Sequence, residues 1–255
     1  MITFSEAQLT TWLSPLIWPF LRTLALFTSA PIFSSRAFPI RARIGLAFFV
    51  ALAAQPSLDG QPVISINDPG AFGAVWQQVG VGLAIGFAIR VVLAAVELAG
   101  EVVGFQMGLG FASFFDPSMG SQSSAVARFF GQMATFMFIV MGGHMMVLMT
   151  VIASFTAFPV DENFLEALKQ MKIQHLGADL FATGMWMSLP MVGMLMFANL
   201  ALGIVSRVAP QMNIYAIGFP ITLTVGLVGM AVTLPMLDTP FLALMSRAIE
   251  VFSPQ

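Results

Sequence analysis

Few side chains in this sequence are of a kind that does chemistry, and those few are scattered. Glu97 and Glu101 lie one helical turn apart inside an apolar stretch, and Arg90 stands two turns before Glu97 on roughly the same side. Charges at membrane depth are costly and face a protein interior or water, so these three are candidate buried charges. A proton relay is one reading. The other is a pair of solvated carboxylates near a helix end, beside a glycine-rich loop. His144 follows Gly142 and Gly143 with no second histidine or carboxylate at ligand spacing, so no metal is expected. His175 falls in a polar loop and reads as a surface residue. Cysteine is absent, which removes thiolate nucleophiles, disulfides and Cys-ligated metals together.

The usual catalytic motifs are missing as well. There is no G-x-x-x-x-G-K phosphate loop, no H-E-x-x-H and no G-x-S-x-G elbow. Gly80, Gly82 and Gly86 have the wrong spacing for a dinucleotide loop, and no strand pattern precedes them. The expectation is a protein that is not an enzyme and carries no cofactor. A net charge of −2 gives no basic field for nucleic acid.

The elements that must position these residues are apolar. Of 255 residues 58% are hydrophobic and 9% charged, against about 25% charged in an ordinary soluble domain. So little charge cannot coat a water-facing globule, and the mean hydropathy of +0.90 agrees. Phe (25) and Met (19) are abundant while Tyr is single, so the interior or lipid-facing surface is mostly dry. Met1 to Leu21 lacks a basic n-region, so no cleavable signal peptide is expected.

Along the chain, the first apolar block runs from about Leu9 to Phe33 with Pro15, Pro19 and Arg22 inside it; the prolines predict a kink. Ser34 to Arg43 is a basic break. Ile44 to Ala54 is too short to span a bilayer unless it starts near Arg41. Gln55 to Gly70 is a polar loop. A helix follows from about Ala71 to Val103, and Phe105 to Ser124, rich in Gly, Ser and Pro, reads as a loop. Phe129 to Val160, Leu180 to Ser206 and Val208 to Leu237 are each long enough to cross about 30 Å of hydrocarbon. Asp161 to Asp179 is the most polar segment. The pattern predicts an all-α, polytopic membrane protein of about six helices in a single domain over 1–255. The long apolar runs lack the alternation of membrane strands. Arg36, Arg41 and Arg43, like Lys169 and Lys172, favour cytoplasmic loops.

Two periodic patterns stand out. Gly82 and Gly86, and Gly100, Gly104 and Gly108, recur every fourth residue and let another backbone come close, either within the chain or at an intersubunit seam. Met133, Met137, Met141, Met145 and Met149 form a slowly wrapping stripe, a flexible core filler or a compliant seal.

Three segments resemble one family, the flagellar biosynthesis protein FliR and its counterparts in virulence type III secretion. They are RTLALFTSAPIFSSRAFPIRAR (22–43), GEVVGFQMGLGFASFFDP (100–117) and NLALGIVSRVAPQMNIYAIGFP (199–220). The likeness extends over nearly the whole chain, and the GFP after PQMNI fits the flagellar branch better. It implies bent helical hairpins, a FliP-like part (about 1–175) followed by a FliQ-like part (about 176–255). It further implies assembly with FliP-like and FliQ-like subunits and an FlhB-like switch subunit, at the bacterial inner membrane in the flagellar basal body. Exported flagellar proteins would pass through the centre in transit. Much of such an assembly stands above the bilayer plane, so helices buried in a complex can look transmembrane.

In that family the loop matching Gln106 to Gln122 projects into the pore and helps plug it. The residues this implies are Gln106, Met107, Gly108, Gly110, Phe111, Phe114, Phe115, Asp116, Pro117 and Met119. Glycines for backbone freedom and aromatic bulk to exclude water suit that role; an ordinary buried connection is the alternative. Arg207, Pro210, Gln211 and Asn213 match the tight turn of a helical hairpin near the cytoplasmic entrance. There Arg207 would cap carbonyls while Gln211 and Asn213 bond freed backbone groups. The function implied is a non-enzymatic subunit of the flagellar export gate. A small-solute secondary transporter, motivated by the broken helices and buried charges, and a structural membrane scaffold are the alternatives.

Overall fold

A computed structural model of the chain describes residues 6–36, 38–58, 64–65, 68–110, 123–211 and 213–253. Among them the fold is all-α. The helices are α1 (Glu6–Ser29), α2 (Ile40–Ala54), α3 (Ala71–Gln106), α4 (Ala125–Val140), α5 (Gly143–Ala157), α6 (Phe164–Gln170), α7 (Gln174–Val208), α8 (Ile214–Thr233) and α9 (Asp238–Glu250). Short 3-10 turns occupy Gln55–Leu58 and Leu234–Met236.

Among the described residues, three stretches are long and apolar enough to cross a membrane: α3, α6 with α7 (Phe164–Val208), and Ala216–Met236. The sequence pattern predicted more. Phe129 to Val160 reads as one span but is split into α4 and α5, a pair that passes only if counted together. The break falls where Gly142 adopts φ +72°, a left-handed conformation that costs glycine little. Hydropathy is blind to it. α2 starts at Ile40, immediately after Pro39, and its 15 residues reach only about 22 Å. α1 continues through Pro15 and Pro19, α7 through Pro190 and α8 through Pro220.

The chain forms two compact units. The first comprises 1–91, 139–177 and 245–255; its buried side chains include Trp18, Leu26, Phe27, Ile85, Phe155 and Phe252. Here α1 and α3 approach closely. A Cβ added at Gly82 would strike the carbonyl oxygen of Arg22 and lie 2.9 Å from Ala25 Cβ, and one at Gly86 would strike Ser29. The Gly82/Gly86 pair therefore serves a seam within the chain.

The second unit comprises 92–138 and 178–244, with Val96, Val103, Phe130, Met191, Leu195 and Phe241 buried. A Cβ at Gly100 would lie 2.7 Å from Phe130 Cβ, and one at Gly184 would lie 2.8 Å from the Ala95 carbonyl oxygen. Much apolar surface stays open on this unit: only 17% of the most apolar window of α7 and 28% of that of α8 are buried. Phe181, Trp186, Phe197 and Ile204 are among the exposed side chains. The methionine stripe is not core filler: Met133, Met137 and Met141 are half-buried, Met145 and Met149 exposed. Phe130, Ala134 and Phe138 take the buried face of α4, and Val147, Val151 and Phe155 that of α5.

Candidate functional site

The C-terminus of α3 ends in a complete glycine cap. Gly108 has φ +83°. Its N–H donates to the Phe105 carbonyl at 3.0 Å, and the Leu109 N–H donates to the Gly104 carbonyl at 3.0 Å. These are the paired 5→2 and 6→1 bonds of a Schellman motif, which needs a left-handed residue at Gly108. Just before it, Met107 is 1% exposed. Its side chain fills the space a Cβ at Gly226 would need, with Cγ, Sδ and Cε all 2.6 Å from that point. Thr222 Oγ1 donates a long 3.3 Å bond to the Met107 carbonyl. Gln106 is exposed, and Gly108 and Gly110 are half-buried. Phe111, Phe114, Phe115, Asp116, Pro117 and Met119 lie outside the described residues.

The chain re-enters at Ser123 and Ser124, where two of the candidate charges meet it. Glu101 Oε2 accepts from the Ser124 N–H at 3.0 Å. Glu97 Oε1 accepts from Ser123 Oγ at 3.0 Å. Ser124 Oγ in turn accepts from the Ala127 N–H at 3.1 Å, capping the N-terminus of α4. Carboxylates placed here also favour the positive end of that helix. A Cβ at Gly104 would sit 2.7 Å from Ser124 Oγ, so the two ends of the 107–124 segment are held side by side. Arg90 is exposed, and Glu97 and Glu101 are half-buried. Both glutamates are engaged by the two serines. Ser124 before an apolar run was a legible helix-start signal; its distant glutamate partner was not.

The hairpin turn lies between α7 and α8. Arg207, Pro210, Gln211 and Asn213 are all exposed. Asn213 is the N-cap of α8, its Oδ1 accepting from the Ala216 N–H at 3.4 Å. The turn's flanks meet the α3 terminus around a cavity of about 730 Å³. Met107, Gly108, Asn199, Gly203, Phe219 and Thr222 are among its lining residues. Residues of the segments 100–117 and 199–220, separated by about ninety positions in sequence, therefore share one site.

One charged centre, in the first unit, was not identified from sequence as buried. Arg22 is fully buried and held by neutral groups. Its Nε donates to Gln78 Oε1 at 2.8 Å, Nη1 to Ser154 Oγ at 2.9 Å and Nη2 to the Phe158 carbonyl at 2.7 Å. The guanidinium carbon lies 3.7 Å from the Phe155 ring centroid, a cation–π contact. The network continues: Gln78 Nε2 donates to Gln77 Oε1 at 2.8 Å, which also accepts from the Asp161 N–H at 2.8 Å. Gln77 Nε2 donates to the Pro159 carbonyl at 3.0 Å. A planar fork with fixed donors suits such a node. It ties α1, α3 and α5 together with the turn after α5. Among the described residues, no group of three or more His, Asp or Glu is placed to hold a metal.

The family model for bacterial export proteins, family 1, matches residues 13–248. The flagellar biosynthetic protein FliR of Pectobacterium carotovorum subsp. carotovorum is 37% identical over 246 residues, covering 94% of this chain and 92% of that protein. The FliR of Escherichia coli (strain K12) is 37% identical over 244 residues, with 94% and 92% covered. That of Bacillus subtilis (strain 168) is 31% identical over 234 residues, with 91% and 90% covered. With nearly its whole length matched and the segments 100–117 and 199–220 meeting in one site, this chain belongs to the bacterial export proteins, family 1.

Proposed function

We infer that the chain is a non-enzymatic subunit of the flagellar protein-export apparatus, and that its 106–122 segment plugs the export channel. The observation that carries the reading is the anchoring of that segment at both ends. A Schellman cap and the buried Met107 fix the way in; Glu97, Glu101 and the Ser124 cap fix the way out. A segment clamped at its base can change state without unravelling the helices that carry it. The uncovered apolar faces of α7 and α8 support a place among sibling subunits, FliP-like and FliQ-like, with an FlhB-like subunit at the entrance. Exported flagellar proteins are then the cargo, and the inner membrane at the basal body is the location. The start of α7 at Gln174 suits a FliP-like part to about 175 and a FliQ-like part after it.

The test is to replace Phe111 to Met119 by a short Gly-Ser linker, leaving Met107 and Gly108 in place. Partner subunits should still co-purify, and ion leakage through the assembled gate should rise. A variant that assembles and leaves the membrane as tight as wild type refutes the plug.

A further inference from the structure

Between Ala7 and Leu58 the sequence carries four arginines and no acidic residue. Arg22 is consumed by the buried network. The other three, Arg36, Arg41 and Arg43, fall within eight positions at the start of α2. Arg36 and Arg41 are exposed and Arg43 is half-buried. Arg43 Nη2 donates a long 3.5 Å bond to the Phe38 carbonyl, while its Nε is buried with no hydrogen-bond partner among the described residues. No ion pair among the described residues involves any of the three.

The helix that follows has two faces. Ala47, Val50, Ala51 and Ala54 are buried. Arg41, Ile44, Phe48 and Leu52 lie along the other, at spacings of three and four that keep one stripe. Ile44 is 44% exposed, Phe48 42%, Phe49 67% and Leu52 40%. From Arg41 to Leu52 the helix rises about 17 Å, close to half of a hydrocarbon core about 30 Å thick. A cationic head and one leaflet's depth of exposed apolar side chains complement one kind of occupant. It is an amphiphile with a negative head and hydrocarbon tails.

We propose that α2 binds an anionic phospholipid, its headgroup phosphate held by Arg36 and Arg41 with Arg43 adding to the local positive charge, and its acyl chains laid along Ile44, Phe48, Phe49 and Leu52. The proposal does not depend on the export reading. Arginine suits phosphate because its planar fork can bind two oxygens at once. Basic residues near a membrane surface each contribute enough attraction to anionic lipid to change its local association about fivefold.

The test uses Phe49→Trp as a reporter in the full chain, together with any subunits that co-purify, in vesicles. Quenching by brominated phosphatidylglycerol is compared with quenching by brominated phosphatidylcholine, after subtracting the signal of the parent protein. Phosphatidylglycerol should associate at least about fivefold more strongly. The preference should vanish in an R36Q/R41Q/R43Q background and be largely retained in the charge-preserving R36K/R41K/R43K background. Matched helix content by circular dichroism checks that both fold. Equal quenching by the two lipids overturns the proposal. Quenching by neither also overturns it, since the face is then covered by protein.

Discussion

Replacing Arg22 by Met tests whether the buried polar node holds the first unit together. Met keeps most of the volume and removes the charge with all three hydrogen bonds. The bonds run to Gln78, Ser154 and the Phe158 carbonyl at 2.7–2.9 Å. Hydrogen bonds to a charged group contribute about 1.5–3 kcal/mol each. Against that stands the recovered cost of desolvating a guanidinium, several kcal/mol. The balance tips toward destabilisation because the acceptors stay buried. Gln78 still donates to Gln77 and Ser154 still donates to the Val151 carbonyl, but the Phe158 carbonyl loses this donor. Leaving the Gln78 Oε1 and Phe158 carbonyl acceptors without this donor costs about 1–3 kcal/mol each, about 3 kcal/mol together. For a chain of this length that lowers the unfolding midpoint by about 6–12 °C. Tryptophan fluorescence of the full chain in mild detergent, heated at one fixed rate, gives the midpoint. Arg22→Lys should fall between the two, having charge and donors but no fork. Adding Gln78→Leu to Arg22→Met should recover part of the loss, because removing both partners is cheaper than removing one. An Arg22→Met midpoint within about 2 °C of wild type would refute the reasoning.

Three further outcomes follow from the contacts described. Gly82→Ala should destabilise by about 1–3 kcal/mol, since its Cβ meets a backbone oxygen that cannot move alone. Gly193→Ala, with nothing within 4 Å, should be neutral or gain up to about 1 kcal/mol from helix propensity; unfolding midpoints of the two variants check both. Glu101→Ala removes the acceptor for the Ser124 N–H, so amide hydrogen exchange at 124–127 should speed up while that of α7 is unchanged.

What the sequence revealed depended on the range of the interaction. The Gly82/Gly86 spacing marks a close approach because one helix face suffices to see it. Pro210 and Asn213 mark the α7–α8 turn because caps are written within four residues. The Gly142 break was missed because two glycines in an apolar run look like small-residue packing, and only the left-handed φ turns them into an interruption. Arg22 was visible as a charge in an apolar block but not as a node. Its acceptors stand 56, 132 and 136 positions away, and no local periodicity links them. Glu97 and Glu101 carried two readings, a relay within the apolar stretch and carboxylates near a helix end. An apolar context suggests burial, yet both lie near the end of α3, where Ser123 and Ser124 return to meet them.

The reach of the Arg22 node also sets a clock on biosynthesis. At about 5–20 residues per second, the 132 positions between Arg22 and Ser154 take about 7–26 s to translate. Throughout that interval the guanidinium of α1 has been made but its Ser154 and Phe158 acceptors have not. The first helix therefore completes its contacts in two stages, the bond to Gln78 becoming possible before those to Ser154 and the Phe158 carbonyl.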